Sequence, residues 1–421
     1  MGVRFQGMRK IYYGWVIVCV GVTVKMTGLG FGRFAYPMLI PSMRGSLGFN
    51  YSEMGLLSGA IMLGYLLFSV IGGILATRFG PKRIAVISLL CGSLSMFFIS
   101  RLSGFFPLLF FAFTMGAGGA GSHISITTLP MAWFEERRLG GALGVVTGGT
   151  GLGIIVTALL LPYLLFNLGK EAWRQCWLIL ALITFLVAMI GWMLLREKPD
   201  RMSLLPSGPD GDKKSISSAG NKSKLALKAI FIVYFIFGFA YNIYATYFVA
   251  YMVEEIRLTE KVAGDIWAIF GWMCMGSGLI WGFFSDRLGR REALLWNSGI
   301  ISFSVLLPLL LHQPFFLGLS AFLFGSTFLG TVTIVAASIG DQVGEKRASV
   351  YGLVTLIHGI GQFLGTTIGG YLKDLTGSFQ LTLLSSLIGC LLCLILTALQ
   401  SPPSLWHVRQ EREGVGMGGR S

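Results

Sequence analysis

Charge is what this sequence has least of. Only 12% of its 421 residues are charged, and 19 are acidic. A soluble domain carries about a quarter charged residues, so with 54% hydrophobic residues this chain cannot be one. Cysteine is sparse too. Cys19, Cys91, Cys176, Cys274, Cys390 and Cys393 fall in or at the edge of apolar runs. That placement excludes a disulfide framework and a thiolate metal site and suits small core residues. No Walker-type loop is present, which leaves ATP-driven pumping without support. GGTGLG at 148–153 lies inside an apolar run with no strand before it, so it is no dinucleotide fingerprint.

What is present is apolar length. Twelve runs cover roughly 11–37, 52–76, 84–100, 105–133, 141–167, 174–195, 227–253, 263–285, 293–311, 315–340, 348–372 and 379–400. Each approaches the ~20 residues that cross a bilayer core. The expected fold is an all-α membrane protein with twelve transmembrane helices. The first run is too long for a signal peptide and lacks a small-residue cleavage site, so it reads as helix 1.

The net charge of +14 follows topology. With both termini cytoplasmic, the cytoplasmic segments outside the runs hold 23 Lys and Arg, among them Arg9, Lys10, Lys82, Arg83, Arg137, Arg138, Lys213, Lys214, Arg290 and Arg291. Seven lie opposite: Arg44, Arg101, Lys170, Arg174, Arg257, Lys261 and Lys373. That is the positive-inside bias, and it argues against nucleic-acid binding.

A polar, Ser/Gly/Pro/Lys-rich stretch from Arg196 to Lys224 divides the spans six and six. Such composition cannot bury enough apolar surface to fold alone. The expected organisation is an N-terminal bundle (1–195), a cytoplasmic linker (196–226), a C-terminal bundle (227–400) and a cytoplasmic tail (401–421). The halves repeat. GILATRFGPKR (73–83) returns as GFFSDRLGRRE (282–292), 209 residues on. Gly144, Thr147, Gly151 and Gly153 match Gly352, Thr355, Gly359 and Gly361 at an offset of 208. Phe34-Ala35-Tyr36 is echoed by Phe239-Ala240-Tyr241, with Gly238 where Arg33 would stand. Duplicated halves place a site at their interface.

Gly282, Asp286, Arg287, Gly289, Arg290 and Arg291 resemble the G-x-x-x-D-R-x-G-R-R loop of the major facilitator superfamily of secondary transporters. The first copy keeps Gly73, Arg78, Gly80, Lys82 and Arg83 but has Thr77 for the motif aspartate. The resemblance implies two pseudo-symmetric six-helix bundles, in which this loop helps hold the cytoplasmic side shut. GFGRFAYPMLIPSM and GIGQFLGTTIGGYLKDLTGSF look most like the YbfB/YjiJ-type family. IYYGWVIV also resembles monocarboxylate and oxalate/formate carriers, which typically have a helix-8 cation. Cys274 and Gly278 stand there instead.

The acids supply the functional clue. All 19 lie in loops or near span ends, with Glu53, Asp265 and Asp341 closest to a span. The ionisable residues at membrane depth are Lys25, Arg33, His123 and His358. A centred charge costs about 2.5–3.5 kcal/mol on insertion scales, so it faces a partner or a cavity. With no internal anion, the natural partner is a substrate anion. Gly21, Lys25, Gly28, Gly32 and Tyr36 share one helix face, and small residues mark close helix contact. Lys25 is too deep to snorkel, about 20 Å from either end. Arg33 lies eight residues on, rotated by about 80°. It either lines the same vestibule or reaches outer headgroups. His123 follows a run of small residues, and His358 and Gln362 are one turn apart. Tyr241 and Asn242 lie deep in span 7, whereas Tyr244, Tyr247 and Tyr251 suit an interfacial belt. The two histidines remain open between core residues and substrate or proton work, and no third ligand makes them a metal site. Gly361, Gly365 and Gly369 read as a packing ladder, and Trp133, Trp173 and Trp177 as interface anchors.

The sequence therefore predicts an inner-membrane secondary transporter, not an enzyme, with no cofactor. It moves a small organic anion, such as a carboxylate, by proton symport or anion exchange. The expected substrate contacts are Lys25, Arg33, His123, Tyr241, Asn242, His358 and Gln362. The expected partners are the bilayer, the anion and, for symport, protons, with the chain as a monomer. The alternative is export of drugs or hydrophobic compounds. Cation export usually needs a buried acid, which the chain lacks.

Overall fold

A computed structural model describes residues 13–169, 171–197, 227–343 and 347–400, without the side chains of 136, 137 and 347–349. Arg9, Lys10, Lys170, Lys213, Lys214, the linker beyond 197 and the tail 401–421 lie outside the described residues.

Among the described residues every regular element is helical. The first long helix, α1, runs Tyr13–Lys25, passes through a π-helical stretch Met26–Phe31, resumes at Gly32–Phe34 and continues as Tyr36–Leu47. Then follow α2 (Tyr51–Phe79), α3 (Pro81–Arg101), α4 (Phe105–Thr128), α5 (Glu136–Leu168), α6 (Ala172–Leu194) and α7 (Leu227–Ala250, with a π end Tyr251–Glu255). The last five are α8 (Glu260–Leu288), α9 (Arg290–Leu310), α10 (Pro314–Val343), α11 (Arg347–Thr376) and α12 (Gln380–Ala398). Among the described residues, eleven helices are long and apolar enough to cross a membrane. The 30-residue α11, rich in glycine and threonine, is not among them.

Local chemistry sets the ends. Asn50 and Glu53 form a reciprocal capping box at the start of α2, at 2.8 and 2.9 Å. Thr259 caps α8 through the Val262 amide. Large apolar side chains cover the outside, with Phe106, Phe166, Phe315 and Met193 at least 74% exposed. In water such a surface would aggregate; in lipid it costs nothing.

The backbone preserves the repeat. Gly80 and Gly289, 209 apart, both turn the chain with positive φ, 92° and 103°. Gly169 and Gly377, 208 apart, do the same at 82° and 70°. Gly48, at 71°, is matched 209 residues on by Arg257, which adopts φ 64° although it is not glycine. The repeat therefore fixes a backbone shape even where the residue has changed.

Among the described residues the halves approach each other more closely toward one end than toward the other. A Cβ on Gly55 would lie 2.5 Å from the Thr366 carbonyl oxygen, one on Gly264 2.4 Å from that of Ala158, and one on Gly370 2.1 Å from that of Tyr51. These contacts press α2 on α11 and α5 on α8 near the Asn50 end. Arg44 pairs with Glu254 there at 3.5 Å. Asp374 accepts hydrogen bonds from the Tyr51 amide, the Ser52 amide and the Ser52 hydroxyl at 2.9, 2.7 and 2.6 Å. Toward the Gly80 end contact thins. Gly144 would reach only Leu279, at 3.4 Å, and Gly140 and Gly141 meet nothing within 4 Å.

Candidate functional site

The site begins where α1 changes pitch. Helix α1 approaches α5 so closely that a Cβ on Gly149 would sit 2.4 Å from the Val22 carbonyl oxygen, and one on Gly153 2.5 Å from that of Met26. Gly28 presses on Ser122 of α4. These small residues admit the wider π stretch, a feature often found at functional sites. Lys25 stands at its start and Arg33 just beyond its end. A π stretch turns less per residue than an α-helix, so the 80° offset of a regular helix does not hold here.

Lys25 is 2% exposed. Its Nζ lies 3.1 Å from Nδ1 and 3.4 Å from Nε2 of His123. His123 is half-buried, and the ring of Tyr65 on α2 stands edge-on to it at 6.1 Å. Lys25 thus lies behind the histidine.

Arg33 is the more open cation. It is half-buried and turned toward the second half of the chain. Its Nη2 donates to the Tyr241 hydroxyl, to Oδ1 of Asn242 at 3.4 Å and to Oε1 of Gln362 at 3.2 Å. Its guanidinium also lies over the rings of Phe34 and Tyr241, at 5.3 and 5.9 Å. Phe34 and Tyr241 each pack edge-on to Phe328. Asn242 is the residue 209 positions after Arg33, so Arg33 meets its own repeat partner. The Phe-Ala-Tyr echo runs at 205 instead and mispairs these helices. Among the described residues, neither Lys25 nor Arg33 has a carboxylate partner.

His358 is 5% exposed. Its Nδ1–H donates to the Tyr234 carbonyl at 2.9 Å, and its ring stacks on Tyr234 at 4.0 Å and Tyr241 at 5.6 Å. It supports Tyr241 from behind. A Cβ on Gly238 would come within 2.7 Å of that ring nitrogen, so the small residue makes room for the histidine. Asn242 is held by its Nδ2–H to the Gln362 carbonyl at 3.1 Å.

Two sequence expectations fail here. Tyr244, Tyr247 and Tyr251 form no interfacial belt; all are at most 2% exposed. They bond Ser320, the Thr366 carbonyl and the Pro308 carbonyl, because α7 lies at the centre of the packing. Trp173 and Trp177 are fully buried and Trp133 is 5% exposed, so they are core residues. Trp177 packs its Nε1 3.3 Å from the Met43 sulfur. The glycine ladder does pack, with Gly361 and Gly365 against the Phe235 and Phe239 carbonyls.

Tyr65 and Tyr351 were missed. Tyr65 lies within electrostatic reach of Arg33, Tyr241 and Tyr351. Its signal was the one tyrosine of the apolar run 52–76, deep within it. A separate cavity of about 800 Å³ opens at the Asn50 end, lined in part by Glu171, Glu254 and Glu260. It does not include the two cations.

The loop motif forms an ion network in its second copy. Arg290 pairs with Asp286 at 2.6 Å and with Asp341 at 2.8 Å. Arg287 lies over Phe283. In the first copy the Thr77 hydroxyl bonds its own helix, at the Ile74 carbonyl, and Arg78 lies over Phe79. The Glu197 carboxylate occupies the space beside Gly80.

Residues 25–398 match the family described as "Uncharacterised MFS-type transporter YbfB". The chain belongs to that family of major facilitator superfamily transporters. It is therefore a multi-pass membrane transporter and not an enzyme. It is 25% identical over 377 residues to the hexuronate transporter of Bacillus subtilis (strain 168), covering 83% of this chain and 85% of that one. It is 23% identical to the probable sulfoacetate transporter SauU of Cupriavidus necator, covering 82% and 84%. It is also 23% identical to a putative tartrate transporter of Agrobacterium vitis, covering 80% and 82%. Among solved structures, a bacterial homolog of the human lysosomal transporter Spinster, inward-facing and occupied, superposes with a TM-score of 0.73. At 16% identity over 95% of this chain and 99% of that one, this likeness concerns the fold.

Proposed function

We propose that this MFS transporter carries a small organic anion, a carboxylate, across the inner (plasma) membrane by alternating access. Two six-helix bundles, 1–195 and 227–400, move about the interface that holds Arg33, with 196–226 as the cytoplasmic linker. Twelve spans put both termini in the cytoplasm, as the basic bias requires. In that orientation the closed Asn50 end is the outer side and the Gly80 end opens inward.

The observation that carries this reading is Arg33. It lies at membrane depth, and its acceptors are neutral groups of the second half. Neutral acceptors hold a guanidinium less strongly than a carboxylate does. An incoming carboxylate matches the planar fork and supplies the missing charge. Tyr241, Asn242 and Gln362 then shape the pocket, His358 positions Tyr241, and Lys25 with His123 adds positive potential from the first half. The relatives named for hexuronate, sulfoacetate and tartrate transport support the same class.

The test is thermal stabilisation of the purified protein by glucuronate, sulfoacetate, L-tartrate and nitrate. At least one should raise the Tm by several degrees in wild type and leave Arg33→Gln unchanged. Equal shifts in both proteins would overturn the role of Arg33, and no shift in wild type would overturn the anion reading.

A further inference from the structure

We infer that Lys25 and His123 together form the proton site of this transporter, and that one proton crosses with each anion. The inference rests on the anion reading above and adds the coupling ion to it.

Three observations carry it. Lys25 is sealed in protein, 2% exposed, and its Nζ meets the imidazole of His123 at 3.1 Å. His123 is less buried than Lys25, so it is the member of the pair nearer to water. Other groups on α1 and α2 face the pair. Arg33 on α1 acts on it as a second positive charge, and Tyr65 on α2 stands edge-on to His123. From α5 Gly149 approaches, 3.0 Å from the Lys25 Cβ to its own ideal Cβ. Among the described residues no carboxylate faces either nitrogen base. The usual acidic proton carrier is replaced by two bases in contact.

The chemistry balances simply. When the anion is absent, three basic groups share one low-dielectric region and the surplus proton is repelled. An N–H bond of the Lys25 ammonium breaks, and the proton joins the ring nitrogen that lacks one. The imidazolium then gives up a proton to water on its open side, leaving neutral lysine and neutral histidine. An anion on Arg33 reverses the sequence. Its negative charge draws a proton from water through His123 back to Lys25, and the pair crosses loaded. Arg33 holds the anion through its planar fork, while Lys25 is the group that passes the proton.

The experiment measures both fluxes in the same vesicles. Proteoliposomes loaded with the pH dye pyranine receive labelled glucuronate, L-tartrate or sulfoacetate outside, with no initial pH gradient. Wild type should acidify the lumen with a proton-to-anion ratio near one. Lys25→Arg keeps the charge but cannot release it, and its ratio should fall at least ten-fold. His123→Asn should lower the ratio as well, because the route to Lys25 is broken. A wild-type anion flux without acidification would overturn the inference and leave anion transport standing. A ratio near one in Lys25→Arg would also overturn it, by placing the proton elsewhere. No flux of any anion in wild type would overturn the anion reading and this inference with it. Should Lys25→Arg fail to fold, the wild-type and His123→Asn ratios decide the matter.

Discussion

Nη2 of Arg33 on α1 donates to Oε1 of Gln362 on α11 at 3.2 Å. The same nitrogen reaches Asn242 on α7. One side chain of the first half is therefore held by two amides of the second. Arg33→Lys keeps the charge but loses the fork, and a lysine cannot span the same acceptors. Anion affinity should fall about ten-fold or more, in line with one or two charge-assisted hydrogen bonds at about 1.5–3 kcal/mol each. Gln362→Ala should weaken binding less, since it touches Arg33 and carries no charge of its own. Titration of purified variants with the best stabilising anion checks the order.

Asp374 holds the Asn50 end closed by accepting from the first turn of α2. A carboxylate at a helix N-terminus contributes roughly 0.3–2 kcal/mol. Asp374→Asn should therefore shift the population toward the outward-open state by about 2- to 30-fold. A cysteine at Ser58, buried against Thr246 at this interface, reports it. In a cysteine-free background its reaction with an impermeant maleimide should quicken by that factor. An unchanged rate would mean the contact does not gate.

The close approach of α1 to α5 depends on Gly153. A valine there would overlap the Met26 carbonyl and Gly30. Gly153→Val should cost about 1–3 kcal/mol, as overpacking does, and lower the Tm by several degrees. Gly140→Ala, with nothing within 4 Å of its Cβ, should be neutral or slightly stabilising because alanine favours helix. Differential scanning fluorimetry of both variants separates packing from propensity.

Glu171, in the turn before α6, accepts from the Ser46 hydroxyl at 2.5 Å and from Arg174 at 2.7 Å. These bonds hold its carboxyl below the ordinary value of 4.5, with Ser46 the larger cause. A depressed carboxylate contributes stability above its unfolded-state value and loses it as pH falls through the folded-state value. Glu171→Gln should therefore lower the Tm equally at pH 8 and pH 6. The difference should fade only below about pH 4, as melting curves at both extremes would show.

Much of this was legible in the residues themselves. Run length and basic bias announced a membrane bundle, and the offset of 209 later reappeared in the backbone of Gly80 and Gly289. The scarcity of acid pointed to Lys25 and Arg33. Their division of labour was not legible, because helix period alone cannot foresee a π stretch between them. Regular geometry made Lys25 the inward residue and left Arg33 open between the vestibule and the headgroups. The folded chain puts Lys25 behind His123 and Arg33 against the second half. Contacts such as Tyr65 on α2 and Tyr351 on α11 needed the tertiary fold, since nothing local distinguishes a cavity tyrosine from a buried one. The tyrosines after Asn242 and the tryptophans at span ends were misjudged for the same reason. Position along a span gives depth, and only packing decides between lipid and core.

The central claim is that Arg33 binds the transported anion. Its most direct test is uptake of labelled glucuronate, sulfoacetate or L-tartrate by proteoliposomes that hold wild type or Arg33→Gln at equal density. Wild type should accumulate at least one of these anions, and Arg33→Gln should fall to the level of empty liposomes. Uptake by Arg33→Gln at the wild-type rate would contradict the claim.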